Sequence, residues 1–257
     1  MTTGAGIAAF DLTGRRAIVT GGGGGIGTGL AEGLLEAGAS VAMIARSDAV
    51  DEAARNLGGQ GAGVYAVRAD LADRSQLAAG FGRATDLLGG IDILVNCHGA
   101  VAVGPAEDMS ITDWDRVIEV NLTATFGLCQ LAGSKMLAQG SGKIVNIASM
   151  YAFFGGLKVV AYTASKAGVA QMTKALANEW ASRGVNVNAI APGYVKTQMN
   201  RHVWADPVRS TEIVGRLPAG RWGEPGDLKG PVVFLSSAAS DYHHGGVLPV
   251  DGGYLGR

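Results

Sequence analysis

Cysteine is scarce in this 257-residue sequence. Cys97 and Cys129 are too few for a disulfide framework, and neither belongs to a pair with metal-ligand spacing, so no metal is expected. An excess of one charge is also lacking. Twenty-one Lys and Arg stand against 22 Asp and Glu, a formal charge of −1, which leaves no electrostatic footprint for nucleic acid or an anionic membrane. Long apolar runs are missing too: the uncharged stretch from Ile144 to Leu157 is too short and too polar to span a bilayer. The opening residues, MTTGAGIAAFDLTGRR, show no basic region followed by an apolar run, so an unprocessed cytoplasmic protein is expected. No linker, repeat or charge block divides the chain, which reads as one domain over 1–257.

What is present is a rhythm. Short aliphatic runs recur at Ala17 to Thr20, Ser40 to Ala45, Val64 to Ala69, Ile91 to Asn96, Lys143 to Ala148, Val185 to Ala191 and Val247 to Val250. Helical segments lie between them. Leu30, Leu34 and Leu35 share a face that stops at Gly38, and Val169, Met172, Leu176 and Trp180 form a stripe before Gly184. Strands alternating with helices predict an α/β fold, a doubly wound parallel sheet of about seven strands with helices on both faces. Between Pro192 and about Gly230 the rhythm breaks. A long segment leaving the carboxyl end of a strand is where such a sheet carries a substrate loop, here about 193–225, with a short helical pattern around Asp206 to Gly215.

Glycine is abundant, 41 residues, and clusters once, in Thr20-Gly-Gly-Gly-Gly-Gly-Ile-Gly-Thr-Gly29. That cluster follows the first strand and opens a helix, where glycines let the backbone approach a pyrophosphate and the free N–H groups of the helix start meet its charge. A P-loop would need Lys and Ser or Thr after the last glycine; Gly27 is followed by Thr28 and Gly29, which disfavours an ATPase or GTPase. The second strand ends in Ala45-Arg46 where an NAD-preferring site carries an acid. Arg46 suits a 2′-phosphate, so NADP(H) is favoured over NAD(H).

Tyr162 and Lys166 form the only Tyr-x-x-x-Lys pair in the chain and share a helix face. Carbonyl reduction needs a proton donor, and an ammonium beside a phenol draws its pKa of about 10 toward working pH. Ser149 ends the fifth strand, where its hydroxyl can reach a substrate carbonyl.

These residues together give a strong likeness. The chain resembles a classical short-chain dehydrogenase/reductase over essentially its whole length, through Thr20-Gly21-x-x-x-Gly25-Ile26-Gly27, Asp70, the Asn96 to Gly99 turn, Asn121, Ser149, Tyr162 with Lys166, Pro192-Gly193 with Thr197, and Val250-Asp-Gly-Gly253. The resemblance implies a Rossmann fold and a set of roles. Tyr162 would be the general acid/base, Ser149 would polarise the carbonyl, Lys166 would lower the Tyr162 pKa and hold a ribose, and Asn121 would anchor a water. Gly21, Gly25, Ile26, Gly27, Asp70, Leu71, Asn96, Gly99, Gly193, Val195 and Thr197 would line the cofactor with Pro192 and Arg46. A homotetramer is implied as well. One departure is Asn96-Cys97-His98-Gly99 where the family commonly has Asn-Asn-Ala-Gly; His98 is expected as a packed imidazole. Within the family, Asn146 to Gly156, Asn186 to Thr197 and Arg209 to Leu235 are similar to the 2-deoxy-D-gluconate 3-dehydrogenase (keto-deoxygluconate dehydrogenase) and gluconate 5-dehydrogenase group. The resemblance implies hydride transfer to or from a small sugar acid, with Lys196, Arg201, His202 and Arg209 as candidates for its carboxylate. Two alternatives stand beside it. A ketoacyl-thioester or general ketone reductase would want an apolar channel, for which Phe153, Phe154, Tyr194 and Trp204 are available. A dinucleotide sensor without turnover would have no need of the Ser149, Tyr162, Lys166 and Asn121 set.

Overall fold

The computed structural model describes residues 8–257. The expectation about the opening residues lies partly outside them. The first aliphatic runs form β1 (Arg16–Thr20) and β2 (Ser40–Ala45), joined by α1 (Gly25–Glu36). α2 (Ala49–Asn56), β3 (Val64–Arg68), α3 (Arg74–Leu88) and β4 (Ile93–Asn96) complete the first half. The second half runs through α4 (Ile111–Ile118), α5 (Ala124–Gln139), β5 (Gly142–Ile147), α6 (Val160–Trp180) and β6 (Val185–Pro192). It ends with α7 (Arg201–Trp204), α8 (Pro207–Val214), α9 (Lys229–Ser236) and β7 (Val247–Val250). All seven strands are parallel in one sheet, in the order β3-β2-β1-β4-β5-β6-β7.

Because side chains alternate along a strand, each central strand serves two cores. Ala17 and Val19 of β1, with Ile93 and Val95 of β4, pack on one face with Leu30 and Leu34 of α1 and Val232 of α9. Ile18 and Leu94 point the other way, toward Phe81 of α3, Leu128 of α5 and Leu176 of α6. This is the doubly wound architecture expected. The helix ends behave as their residues dictate: Gly38, with φ of 101°, follows the last turn of α1 in the left-handed conformation, and Asp73 and Asp206 cap α3 and α8 by accepting backbone N–H bonds. The strand order reverses between β1 and β4. The carboxyl ends of those two strands therefore part, and a cleft opens there. Among the described residues no helix is long and apolar enough to cross a membrane.

Candidate active site

A cleft of about 550 Å³ lies above the carboxyl ends of β1, β4, β5 and β6, lined on one side by Gly21 and Gly23 to Gly27. Gly21 turns the chain out of β1 with φ of 70°, and a side chain there would meet the Cys97 backbone at 2.9 Å. A Cβ on Gly27 would drive into the Gly21 carbonyl, so α1 sits directly on the turn only because both are glycine. The first turn of α1 has no side-chain cap, which leaves its N–H groups facing the cleft for an anion. A pyrophosphate fits this wall: nothing but backbone stands between it and the helix start.

The opposite wall carries the chemistry. Ser149 follows β5, and Tyr162 and Lys166 project from the first two turns of α6. Lys166 is buried and donates a 2.7 Å hydrogen bond to the Ile147 carbonyl, with its Nζ 5.7 Å from the centre of the Tyr162 ring. Burial pushes the Lys166 ammonium down to about 8, partly countered by Cys97. Burial also pushes Tyr162 up to about 12, against a downward pull from the Ser149 hydroxyl. In the chain by itself desolvation of the phenolate dominates at Tyr162, and the Lys166 ammonium is engaged by the Ile147 carbonyl.

Asn121 lies in a single π-turn, Glu119–Thr123, inserted between α4 and α5. The wide turn swings its fully buried amide inward. Its oxygen accepts from the Ala100 N–H at 2.7 Å, and its nitrogen donates to the Ala100 carbonyl and the Ser165 hydroxyl, both at 2.9 Å. The amide thus clamps the loop after β4 to the helix that bears Tyr162.

Of the residues expected at the cofactor, Gly21, Gly25, Ile26, Gly27, Gly99, Pro192, Gly193, Val195 and Thr197 line the cleft with Tyr162 and Lys166. Asn96 does not. Its amide is buried and donates to Asn146 at 2.9 Å, tying β4 to β5 beneath the cleft floor. The Leu71 side chain is in the core, leaving only its main chain for a ligand. Asp70 accepts from the Ala72 N–H in a tight turn, and Asp73 caps α3. Arg46 is 81% exposed at the cleft's outer end, with its guanidinium 3.9 Å from Asp70, so a carboxylate does stand beside it.

His98 is a buried imidazole at the cleft floor, with Nδ1 2.7 Å from the Thr20 hydroxyl and Nε2 3.4 Å from that of Thr125, whose own proton goes to the Asn121 carbonyl. Burial drives its pKa down to about 3, and it bridges the end of β1 to the start of α5 as a neutral group.

Gln198, Met199 and Asn200, inside the stretch expected as the substrate loop but not singled out as site residues, also line the cleft. Asn200 accepts from the Thr197 N–H and hydroxyl and donates to the Val195 carbonyl, fixing the cleft edge. The four carboxylate candidates stay apart from this geometry. Lys196 is paired with Glu224, and Arg201, His202 and Arg209 are exposed on α7 and α8. Of the four aromatic residues named for an apolar channel, Phe154 and Tyr194 pack against Tyr254 near Tyr162, whereas Phe153 is 51% exposed and Trp204 donates its indole N–H to the Thr197 carbonyl.

The family model of the short chain dehydrogenases matches residues 15–207. The 2-dehydro-3-deoxy-D-gluconate 5-dehydrogenase of Escherichia coli is 45% identical over 252 residues, which is 98% of this chain and 99% of that one. A solved Agrobacterium tumefaciens structure with bound NADP is 47% identical with a TM-score of 0.91, covering 98% of this chain and 100% of the other. The gluconate 5-dehydrogenase of Burkholderia cenocepacia, solved in complex with NADP and tartrate, is 38% identical with a TM-score of 0.91 and covers 97% and 98% of the two chains.

Proposed function

This chain belongs to the short chain dehydrogenase family, and from that premise we propose that it is an NADP(H)-linked oxidoreductase acting on a hydroxy or keto group of a small sugar acid, of the keto-deoxygluconate or gluconate kind. The observation that carries the reading is the meeting of Ser149, Tyr162 and Lys166 in one cleft with an uncapped, glycine-lined helix start. The nicotinamide supplies or accepts the hydride. The chain's part is to bind, orient and move a proton. Ser149 donates to the carbonyl oxygen, and Tyr162 delivers or removes the proton there. Lys166 holds positive charge against the phenolate that forms, and Asn121 keeps the loop and α6 in register. At the outer end Arg46 exchanges its weak pairing with Asp70 for the 2′-phosphate.

The same reading takes 193–225 as the substrate loop of one catalytic domain, places the enzyme in the cytoplasm and makes it a homotetramer. Support for assembly is the apolar surface that α5 leaves open around Phe126, which is 45% exposed. The reaction is tested by following nicotinamide absorbance with NADPH and NADH, over keto-deoxy and keto-aldonic acids beside an acetoacetyl thioester, in wild type and Arg46→Ala. Turnover of a sugar acid is expected, with an NADPH preference that falls about tenfold or more in the variant. Turnover of the thioester alone would refute the sugar-acid assignment, and an unchanged preference would remove Arg46 from cofactor selection.

A further inference from the structure

Beside Tyr162 three more tyrosines meet, with the Phe154 ring packed against two of them. Tyr151 comes from the turn after β5, Tyr194 from the segment after β6, and Tyr254 from the C-terminal turn. The Tyr151 ring stands edge-on to Tyr162 with 6.1 Å between ring centres. Its hydroxyl lies 3.5 Å from that of Tyr194. The Tyr194 ring is 5.6 Å from Tyr254, and the Arg216 guanidinium lies 4.8 Å above the Tyr254 ring.

Packing explains the rings but not the hydroxyls. A separation of 3.5 Å is well beyond the 2.7–2.8 Å usual for O–H···O, so Tyr151 and Tyr194 only weakly satisfy one another, and the Tyr254 hydroxyl is the second partner of Tyr194. Both residues are partly buried, and both oxygens can reach a third oxygen placed between them. Desolvation and the Tyr151 hydroxyl raise the Tyr194 pKa, which keeps it a donor across the working pH range. The charge beside them is positive. Arg216 takes part in no ion pair among the described residues, whereas Lys196 and Arg221 of the same region are neutralised by Glu224 and Asp227.

We infer that Tyr151 and Tyr194, with Arg216 over Tyr254 behind them, form the subsite that receives the carboxylate of the substrate while Tyr162 faces its reacting carbon. The inference rests on the sugar-acid reading above and adds the residues that read the acid end. Tyr151 and Tyr194 are specificity residues in direct contact with the carboxylate. Arg216 is a positioning residue, acting through Tyr254 and through the positive potential it sets.

The test compares each sugar acid that the wild type turns over with its carboxamide, which has the same shape and no charge. In Tyr194→Phe and Tyr151→Phe, kcat/KM for the acid is expected to fall about 10- to 100-fold, mostly in KM, while the amide changes less than about threefold. Arg216→Gln is expected to give a smaller loss for the acid, and to flatten the salt dependence of its KM. Arg201→Ala and Arg209→Ala are expected to leave the acid-to-amide ratio as in wild type. NADPH titration of every variant reports whether the cofactor half is intact. An unchanged ratio in Tyr194→Phe and Arg216→Gln, with acid turnover preserved, overturns the subsite and leaves the sugar-acid reading standing. A wild type that turns over no sugar acid overturns both.

Discussion

The two walls of the cleft are built by different physics. The glycine wall, from β1 into α1, is backbone against backbone: Gly27 lies on the Gly21 carbonyl, and the central residues of β1 and β2 beside it are buried. The opposite wall is made of side chains, Ser149 after β5 with Tyr162 and Lys166 on α6, and beside Tyr162 the rings of Tyr151, Tyr194 and Tyr254 meet from the ends of β5, β6 and the chain. It is bordered by short helices α7 and α8, which have no buried residues. A backbone wall recognises what is common to every dinucleotide, and it leaves no room for variation. A side-chain wall can be rebuilt one residue at a time, and it is where substrate identity is set.

That contrast can be broken most severely at Gly27. Gly27→Ala places a methyl group against the Gly21 carbonyl, so α1 must move off the turn. Cofactor affinity is expected to fall at least about 100-fold, with loss of thermal stability, when NADPH binding and unfolding are measured together. A variant that binds NADPH as wild type does would show that this wall yields as readily as the other.

A smaller and reversible perturbation is pH. Lys166 is held down to about 8, so it is charged below that value and loses its charge above it. Tyr162, held up to about 12, stays protonated throughout. The rate of carbonyl reduction is therefore expected to be level up to about pH 8 and then to fall up to tenfold per pH unit. The linked stability moves the other way. Because the folded pKa lies below the unfolded value near 10.5, the unfolded chain binds more protons between about 8 and 10.5, and this group's contribution to stability rises with pH across that window. Activity and stability that decline together above pH 8 would contradict this account of Lys166.

Much of the glycine wall was legible in the sequence because its determinants are local. A strand, a glycine cluster and a helix face lie within about 20 residues, and their spacing fixes their geometry; the seven aliphatic runs became the seven strands with ends shifted by two residues at most. The Tyr162 and Lys166 pair was legible for the same reason, being one turn of one helix. Asn121 could be named but its π-turn could not, since one extra residue in a helical turn leaves no mark in apolar periodicity. The direction of the Asn96 side chain was not legible, because a strand-end asparagine can turn up into the cleft or down into the sheet, and only Asn146 on the neighbouring strand decides it. The substrate wall was the least legible. Its charged loop residues drew attention by composition, while its tyrosines are separated by up to about 100 residues and meet only through the sheet.

The central claim is that Tyr162 moves the proton in a cleft whose cofactor wall works without it. Single-turnover oxidation of bound NADPH by a keto sugar acid, compared in wild type and Tyr162→Phe with cofactor affinity measured on the same samples, tests it directly. The account predicts a rate about 10²- to 10⁴-fold lower in the variant and a cofactor dissociation constant within about threefold of wild type. A variant that transfers hydride at the wild-type rate with its cofactor bound would contradict it.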